Sequence, residues 1–272
     1  MTVLVLAPRG ELFESPASWL SRIALSQGVK LRELLCLLPL SSPDVDLEFI
    51  RPEVVDALKS LGVDTARLRV ANRIITNLSG ARLDARRFLL YAGDEPRYRF
   101  CPVCLSAKGP SVVPIHWRFA CWRFCPMHDC LMRDSCGDCG AQLVLPACML
   151  SAGSKREGIG FLSSCQNCSG RLSANSSLMV DDLDLQHWEV DFMANGRATL
   201  AALYRGEVLT EMRGPRLPLS RLIEFDRRGL LPNSESFLSS DRIARRIKGS
   251  RDLHEQGGWK VERIPECPID VA

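Results

Sequence analysis

Apolar residues recur at helical spacing near the start of the chain, so the first segment is predicted to be helical. One helix is predicted from a cap at Glu14 or Ser15 to Gln27, where Gly28 breaks the pattern. The apolar positions of this helix are Trp19, Leu20, Ile23 and Ala24. A second helix is predicted from Leu31 to Leu38, because Pro39 cannot continue it.

The stretch LSRIALSQGVKLRELLCLL fits a helix-turn-helix template, with Ala24 where the helices cross and Gly28 at the turn. The predicted inner face consists of Ile23, Val29, Leu34 and Leu37. The predicted outer strip on the second helix consists of Leu31, Leu35 and Cys36, interrupted by Arg32. Reading of DNA bases favours Arg, Asn or Gln at such positions. We therefore predict a protein contact here, with Arg22 and Arg32 at its rim.

The rest of the chain predicts further helices around a cysteine-rich middle. One helix is predicted from Arg51 to Leu61, and a short one begins at Asp64, whereas residues 72–95 look less regular. Three more are predicted in the last third of the chain: one that runs through Tyr204, one in RLIEFDRRGLLP and one near Ser240 to Lys248. We expect a mainly α fold with small β elements in zinc knuckles. Its predicted parts are a helix-turn-helix domain (1–99), a two-zinc knuckle module (100–171) and a helical C-terminal segment (172–272). The last could hold a second helix-turn-helix before a frayed tail.

Composition and charge narrow the class of protein. The chain has 272 residues, of which 46% are hydrophobic, enough for packed cores. No apolar run approaches the roughly 18 residues that indicate a membrane span. The net charge is only +3, and a protein that holds DNA by itself usually has a heavier basic footprint. The start MTVLVLAPRG lacks an export signal, so the 12 cysteines predict metal sites in a reducing cytoplasm.

Four pairs of metal-ligand residues, each with a two-residue gap, follow one another in the middle of the chain. They are Cys101 with Cys104, Cys125 with His128, Cys136 with Cys139, and Cys165 with Cys168. Eight ligands suffice for two structural Zn²⁺ ions, each bound tetrahedrally at about 2.0 to 2.3 Å. Sequential pairing gives one Cys₃His site and one Cys₄ site, and a cross-braced arrangement uses the same ligands. Cys121 could compete as a ligand, and a disulfide framework would need an oxidising compartment.

Complete sets of four ligands argue against catalysis at zinc, because a catalytic ion needs an open coordination position. The chain has no H-E-x-x-H motif, and the H-x-E at His187 has no P-C-x-x-C after it. The aromatic cluster Trp117, Phe119, Trp122 and Phe124 is interpreted as apolar filling between knuckles. The alternative interpretation is a stacking surface for bases.

One basic helix near the C-terminus is a candidate for phosphate contacts. Arg242, Arg245 and Arg246 share one side of the predicted helix, and Lys248 lies just beyond them. The alternative is a solvated basic face that favours the C-terminal end of the helix.

Several of these motifs together resemble the TniQ/TnsD family of transposition target-selection proteins. They are ESPASWLSRIALSQG, DVDLEF, RFCPVCL, IHWRF, CPMHDCLM and CGDCG, and the resemblance covers roughly residues 10–170. It implies a helix-turn-helix domain, a zinc-knuckle domain with the eight ligands above, and fold-defining roles for Trp19, Arg22 and Gly28. Members of the family are not nucleases. They mark where a transposon inserts and recruit an AAA+ ATPase regulator, which engages the transposase.

The resemblance implies a non-enzymatic adaptor in the bacterial cytoplasm, with target DNA or an RNA-guided complex as the target signal and a homodimer allowed. The C-terminal part is shorter than in direct readers of an attachment site, and RLIEFDRRGLLP resembles their helix and wing only weakly. A free-standing zinc-containing DNA-binding transcriptional regulator is the alternative, disfavoured by the modest charge and the apolar second helix. A zinc-dependent hydrolase acting on nucleic acid is disfavoured by the closed ligand sets.

Overall fold

The computed structural model describes residues 4, 7–107, 111–150, 161–174, 179, 187–209, 216–228 and 231, with only the backbone described for 187–194. The helices are α1 (Pro16–Gln27), α2 (Leu31–Leu35), α3 (Val45–Glu48), α4 (Pro52–Ser60), α5 (Arg69–Gly80), α6 (Ala85–Phe88), α7 (Pro102–Ser106), α8 (His187–Arg205) and α9 (Arg221–Arg227). The strands are β1 (Tyr91–Ala92), β2 (Glu95–Tyr98), β3 (Phe124–Cys125), β4 (Cys130–Leu131), β5 (Leu143–Val144), β6 (Glu207–Leu209) and β7 (Arg216–Pro218). Short 3₁₀ turns span Ala66–Leu68, Ile115–Arg118 and Leu172–Ala174.

The described residues belong to two compact units. One draws on residues 1–75, 90–118 and 132–177, and the other on 76–89, 119–131 and 178–272. Between them, these units combine helices with small sheets of two or three strands. The three segments predicted from the sequence, 1–99, 100–171 and 172–272, remain a prediction about folding domains.

In the first unit, α1 begins at Ser15, whose side chain accepts a hydrogen bond from the Ser18 amide at 3.1 Å. The helix ends at Gly28, whose left-handed φ of 65° suits glycine. The apolar positions predicted for α1 are buried. Trp19 also donates its indole N–H to the Pro8 carbonyl at 2.7 Å.

The second helix is shorter than the sequence predicts, and its outer strip differs. After Leu35 the bonds change to Leu37 N–H with the Leu34 carbonyl and Leu38 N–H with the Leu35 carbonyl, both at 3.1 Å. These i to i−3 bonds tighten the turn, so Leu38 turns inward instead. The prediction of Leu37 on the inner face is therefore wrong, because Leu37 is 44% exposed. Leu31 was predicted to face outward but is buried, because it shares the inner face with Leu34. The outer strip therefore consists of Leu35, Cys36 and Leu37.

One further helix agrees with the sequence prediction, and another continues through residues that were predicted to be less regular. The predicted third helix is α4, with Val54 and Leu58 buried. Residues 72–80 were predicted to be less regular, but they continue α5, since its buried side chains recur at helical spacing. Later in the same stretch, β1 and β2 form a hairpin that turns at Gly93 and pairs Tyr91 with Pro96. Strand β5 extends this sheet on β2, with Tyr98 opposite Leu143.

In the second unit, β3 and β4 form a hairpin in which Cys125 lies opposite Cys130. Helix α8 ends at Arg205 and is followed by Gly206, by the antiparallel strands β6 and β7 and by α9. The side chain of Asn77 donates to the Leu203 carbonyl at 2.6 Å, which ties α8 to α5. Leu222 and Phe225 are the buried residues of α9. Among the described residues, no helix is long and apolar enough to cross a membrane.

Candidate metal centres

The first candidate centre contains the ligands of the first two knuckles. Cys101 caps α7, and its sulfur accepts the Cys104 amide at 3.4 Å, while Pro102 occupies the first helical position. Cys125 ends β3, and the turn to β4 carries His128, whose Nδ1 lies 3.5 Å from the Cys125 sulfur. The ligand atoms of these four residues all lie within 4.8 Å of one another.

The second candidate centre contains Cys136, Cys139, Cys165 and Cys168, whose sulfurs also lie within 4.8 Å of one another. Its two knuckles repeat one local structure 29 residues apart. In each, the first cysteine carbonyl accepts an amide at 2.9 Å, from Gly140 in one and from Ser169 in the other. Both donors have a left-handed φ, 71° and 62°. Bridges between Ser135 and Gln142 and between Ser164 and Arg171 flank the knuckles at equivalent positions.

The distances within both centres fit tetrahedral zinc. Two sulfurs, each about 2.3 Å from a shared ion at the tetrahedral angle, lie about 3.8 Å apart. The sulfur of Cys136 is 3.7 Å from that of Cys168, and the sulfur of Cys139 is 3.6 Å from that of Cys165. A sulfur about 2.3 Å from the ion and an imidazole nitrogen about 2.0 Å from it are expected to lie about 3.5 Å apart. The Cys125–His128 distance has this value, so Nδ1 fits as the ligand atom.

The grouping follows the sequential pairing predicted from the sequence, the first knuckle with the second and the third with the fourth. Cys121 is buried, and neither group of four includes it. Each centre is a complete four-ligand set and could hold a metal ion.

The thiols of the second centre differ in how readily they ionise. A backbone hydrogen bond at Ala141 and a side-chain hydrogen bond with Asn167 lower the pKa of Cys139 to about 6. Burial raises the pKa of Cys165 to about 12. Because a thiolate and not a thiol binds metal, filling this site releases protons and weakens as the pH falls.

A buried ion cluster in the first unit was not predicted from the sequence. Arg118 is fully buried and donates to the Asp44 carboxylate at 2.6 Å and to Asp46 at 2.9 Å. Two tyrosines complete it, because Tyr91 donates to Asp44 at 2.7 Å and Tyr98 donates to Asp46. The guanidinium carbon also lies 5.0 Å from the centre of the Tyr91 ring. DVDLEF and IHWRF supply three of the five residues, but no spacing rule relates segments so far apart.

The two carboxyls of this cluster have opposite pKa shifts. Burial raises the pKa of Asp44, but hydrogen bonds and the charge of Arg118 lower it more, so its pKa lies below the usual value. Burial raises the pKa of Asp46 above its usual value, and the neighbouring Asp44 carboxylate adds to this despite Arg118. The Asp46 carboxylate also accepts the amide of Ala17 at 2.9 Å, which fixes the first turn of α1.

The residues predicted to contact a partner differ in how exposed they are and in what they bind. Arg22 binds the buried Glu14 at 2.5 Å, so it fixes the start of α1 rather than standing free at a rim. Arg32 is exposed and Leu35 is half-buried, as a contact surface requires. Leu31 is buried and cannot belong to such a surface.

The aromatic cluster of Trp117, Phe119, Trp122 and Phe124 is buried, which agrees with the interpretation as apolar filling. It therefore does not present a stacking surface for bases. The predicted nucleic-acid residues Arg242, Arg245, Arg246 and Lys248 lie outside the described residues.

Comparison with known proteins supports the resemblance seen in the sequence. Residues 6–132, just under half of the chain, match the TniQ family model. This stretch includes α1, α2, the buried ion cluster and all four ligands of the first centre. No curated protein matches the chain.

Proposed function

We propose that this member of the TniQ family, with its TniQ domain at residues 6–132, is a non-enzymatic adaptor for transposition target selection. A TniQ domain indicates a role in transposition. In the finer proposal, the protein receives a target signal from a DNA site or an RNA-guided complex. It passes that signal to an AAA+ ATPase regulator and, through the regulator, to the transposase. The match to the family model carries this proposal.

The metal centres support a structural role for zinc rather than catalysis. Cysteine and histidine are the ligands that zinc prefers, and each centre offers four of them. A bound Zn²⁺ would supply about 10 to 16 kcal/mol of apparent folding free energy per centre. The eight residues would hold the ions, and four protein ligands each would leave no coordination position for a substrate.

We also infer a protein contact through the outer strip of α2, as an adaptor would require. Helix α2 has 5 residues, a length of about 7.5 Å, which is short for reading bases along a major groove. The outer strip of Leu35, Cys36 and Leu37 is apolar, and Arg32 borders it. Its proposed occupant is a second copy of the chain or the target-recognition complex. The basic residues near 242–248 remain a proposed DNA contact.

The experiment is a pull-down of the AAA+ ATPase encoded beside this gene, with and without DNA, using the full-length zinc-loaded protein. We expect the wild type to capture the ATPase. The outer strip is tested by a matched pair of variants, Leu35→Glu and Val55→Glu, the second at a half-buried aliphatic residue of α4. Only Leu35→Glu should lose association with a second copy or with the target-recognition complex. If the wild type captures no ATPase and instead represses a promoter, the transcriptional-regulator alternative replaces this proposal.

A further inference from the structure

Helices α6 and α9 are joined by an ion pair in the second unit, and both helices carry exposed arginines although they are far apart in the sequence. The contact is an ion pair between Arg87 of α6 and Asp226 of α9. Exposed arginines flank both partners. We call the set the arginine cluster: Arg82, Arg86, Arg87, Arg227 and Arg228.

The surface around this cluster is strongly basic for this chain. Residues 82–88 and 221–228 carry 6 arginines and 3 carboxylates, so their net charge of +3 equals that of the whole chain. Each carboxylate already has a partner. Asp84 accepts the Arg86 amide at 3.0 Å, Asp226 binds Arg87, and Glu224 binds Arg221. The acidic groups therefore fix local structure, and the cationic groups dominate the exposed face.

The cluster stands on a fixed base rather than on loosely held chain. Phe88 of α6 and Leu222 and Phe225 of α9 are buried, so both helices that carry the cluster are packed into the unit. The Ala120 amide also donates to the Phe88 carbonyl at 2.8 Å, which anchors the end of α6. Side chains on an ordered base lose less conformational entropy when they bind a ligand.

Arg82 has a backbone conformation that favours a smaller residue. Its φ is 54°, in the left-handed region just after α5. Helices α1 and α8 have glycine at the corresponding positions, with φ of 65° at Gly28 and 93° at Gly206. An arginine there is strained relative to glycine, so replacing it with glycine relieves backbone strain.

We propose that the arginine cluster binds the phosphate backbone of nucleic acid, with duplex DNA as the ligand. Guanidinium groups form forked hydrogen bonds to phosphate oxygens. Several such groups on two helices and beside them suit a polymer of phosphates better than a single small anion. The surface adds a DNA contact to the proposed target-selection role, and its test does not depend on capture of the ATPase.

The test compares two triple-alanine variants of the full-length, zinc-loaded protein by fluorescence anisotropy with labelled duplex DNA and with single-stranded RNA. The cluster variant replaces Arg82, Arg86 and Arg227 and leaves Arg87 and Arg228 in their ion pairs. The matched control replaces Lys59, Arg67 and Arg69. These are also exposed, and their loss changes the net charge equally.

We expect the cluster variant to bind duplex DNA more weakly and the control to bind like the wild type. Each lost phosphate contact lowers the salt slope by about 0.9, so three account for about 40-fold of the affinity lost between 50 and 200 mM salt. The ratio of the wild-type affinity for duplex DNA to that of the variant should therefore fall about 40-fold between 50 and 200 mM salt. If the cluster variant lost affinity for single-stranded RNA but not for duplex DNA, the ligand of the cluster would be RNA and the proposal of duplex DNA would be wrong.

A single variant separates a ligand contact from a structural role. Arg82→Gly relieves the left-handed strain, so we expect a higher melting temperature together with weaker DNA binding. Equal DNA affinity for the cluster variant and the control overturns the proposal, as does a wild type that binds neither nucleic acid at 50 mM salt. Loss of a protein partner with unchanged nucleic-acid binding would overturn it too, in favour of an acidic protein surface. Metal content of two ions per chain in every variant confirms intact folding.

Discussion

Replacing Arg118 with methionine tests the buried ion cluster most directly. The substitution removes the cation but leaves Asp44 and Asp46 buried, with side-chain exposures of 5% and 0%. Breaking a buried pair by removing one partner costs about 3 to 5 kcal/mol, because an uncompensated charge remains in the interior. At about 2 to 4 °C per kcal/mol for a chain of this size, the melting temperature should fall by about 6 to 20 °C.

The matched control is Lys59→Met, which removes the cation of an exposed pair. Lys59 lies 3.1 Å from Asp56, but the two side chains are 62% and 70% exposed. Water and salt screen such a pair, so its loss should cost less than about 1 kcal/mol. The contrast between two Lys/Arg-to-Met changes isolates burial as the cause of the larger effect.

The pH dependence of the difference is a second test of the same reasoning. In the wild type the lowered pKa of Asp44 contributes stability above the unfolded value of about 3.9, and this is lost as the pH falls through the folded value. Without Arg118, the folded pKa of both carboxyls rises, so the folded variant holds protons that the unfolded chain releases. Its stability should then fall as the pH rises, by up to about 1.4 kcal/mol per pH unit for each retained proton.

The assay is thermal unfolding of zinc-loaded protein at pH 6, 7 and 8, with metal content measured in each sample. The gap between Arg118→Met and wild type should widen from pH 6 to pH 8. An equal melting temperature for Arg118→Met and Lys59→Met, or a gap that does not change with pH, refutes the view that this cluster is a charge-balanced element of the fold.

Other predictions concern the metal centres and the outer strip. Elemental analysis should find two zinc ions per chain, and Cys101→Ser and Cys165→Ser should each remove one and promote aggregation; a wild-type value near one or zero contradicts this. Leu35→Glu should abolish the partner association without changing zinc content or the melting temperature, measured by light scattering and thermal unfolding. Leu31→Glu should unfold the domain instead, because Leu31 is buried, and an association that survives Leu35→Glu excludes the outer strip.

The sequence predicts well what short-range spacing determines. Both ligands of a knuckle lie within four residues, so the metal-ligand pairs can be recognised without knowing the fold. The cap at Ser15 and the turn at Gly28 are equally local, and the structure has both. The prediction that Leu31 faces outward is wrong, because the apolar pattern of so short a helix fits more than one choice of buried face.

Contacts between distant segments are what the sequence could not supply. Arg118 meets Asp44 and Asp46 because α3, the sheet and the 3₁₀ turn at Ile115–Arg118 pack together, and no periodicity in the chain encodes that meeting. The pairing of Arg87 with Asp226 is similar, since each looks like a residue of a solvated charged run when its own segment is considered alone.

Short strands are the reason to expect that this fold depends on metal. Strands β3, β4 and β5 have two residues each, and isolated hairpins of that size are at best marginal in water. The knuckles of the second centre use hydrogen bonds that close within six residues, such as the Cys136 amide to the Ala141 carbonyl at 2.8 Å. Such local bonds hold each knuckle's shape but do not hold two knuckles together. An ion shared by four sulfurs would hold two knuckles together. The bound metal is therefore expected to decide whether the second centre forms at all.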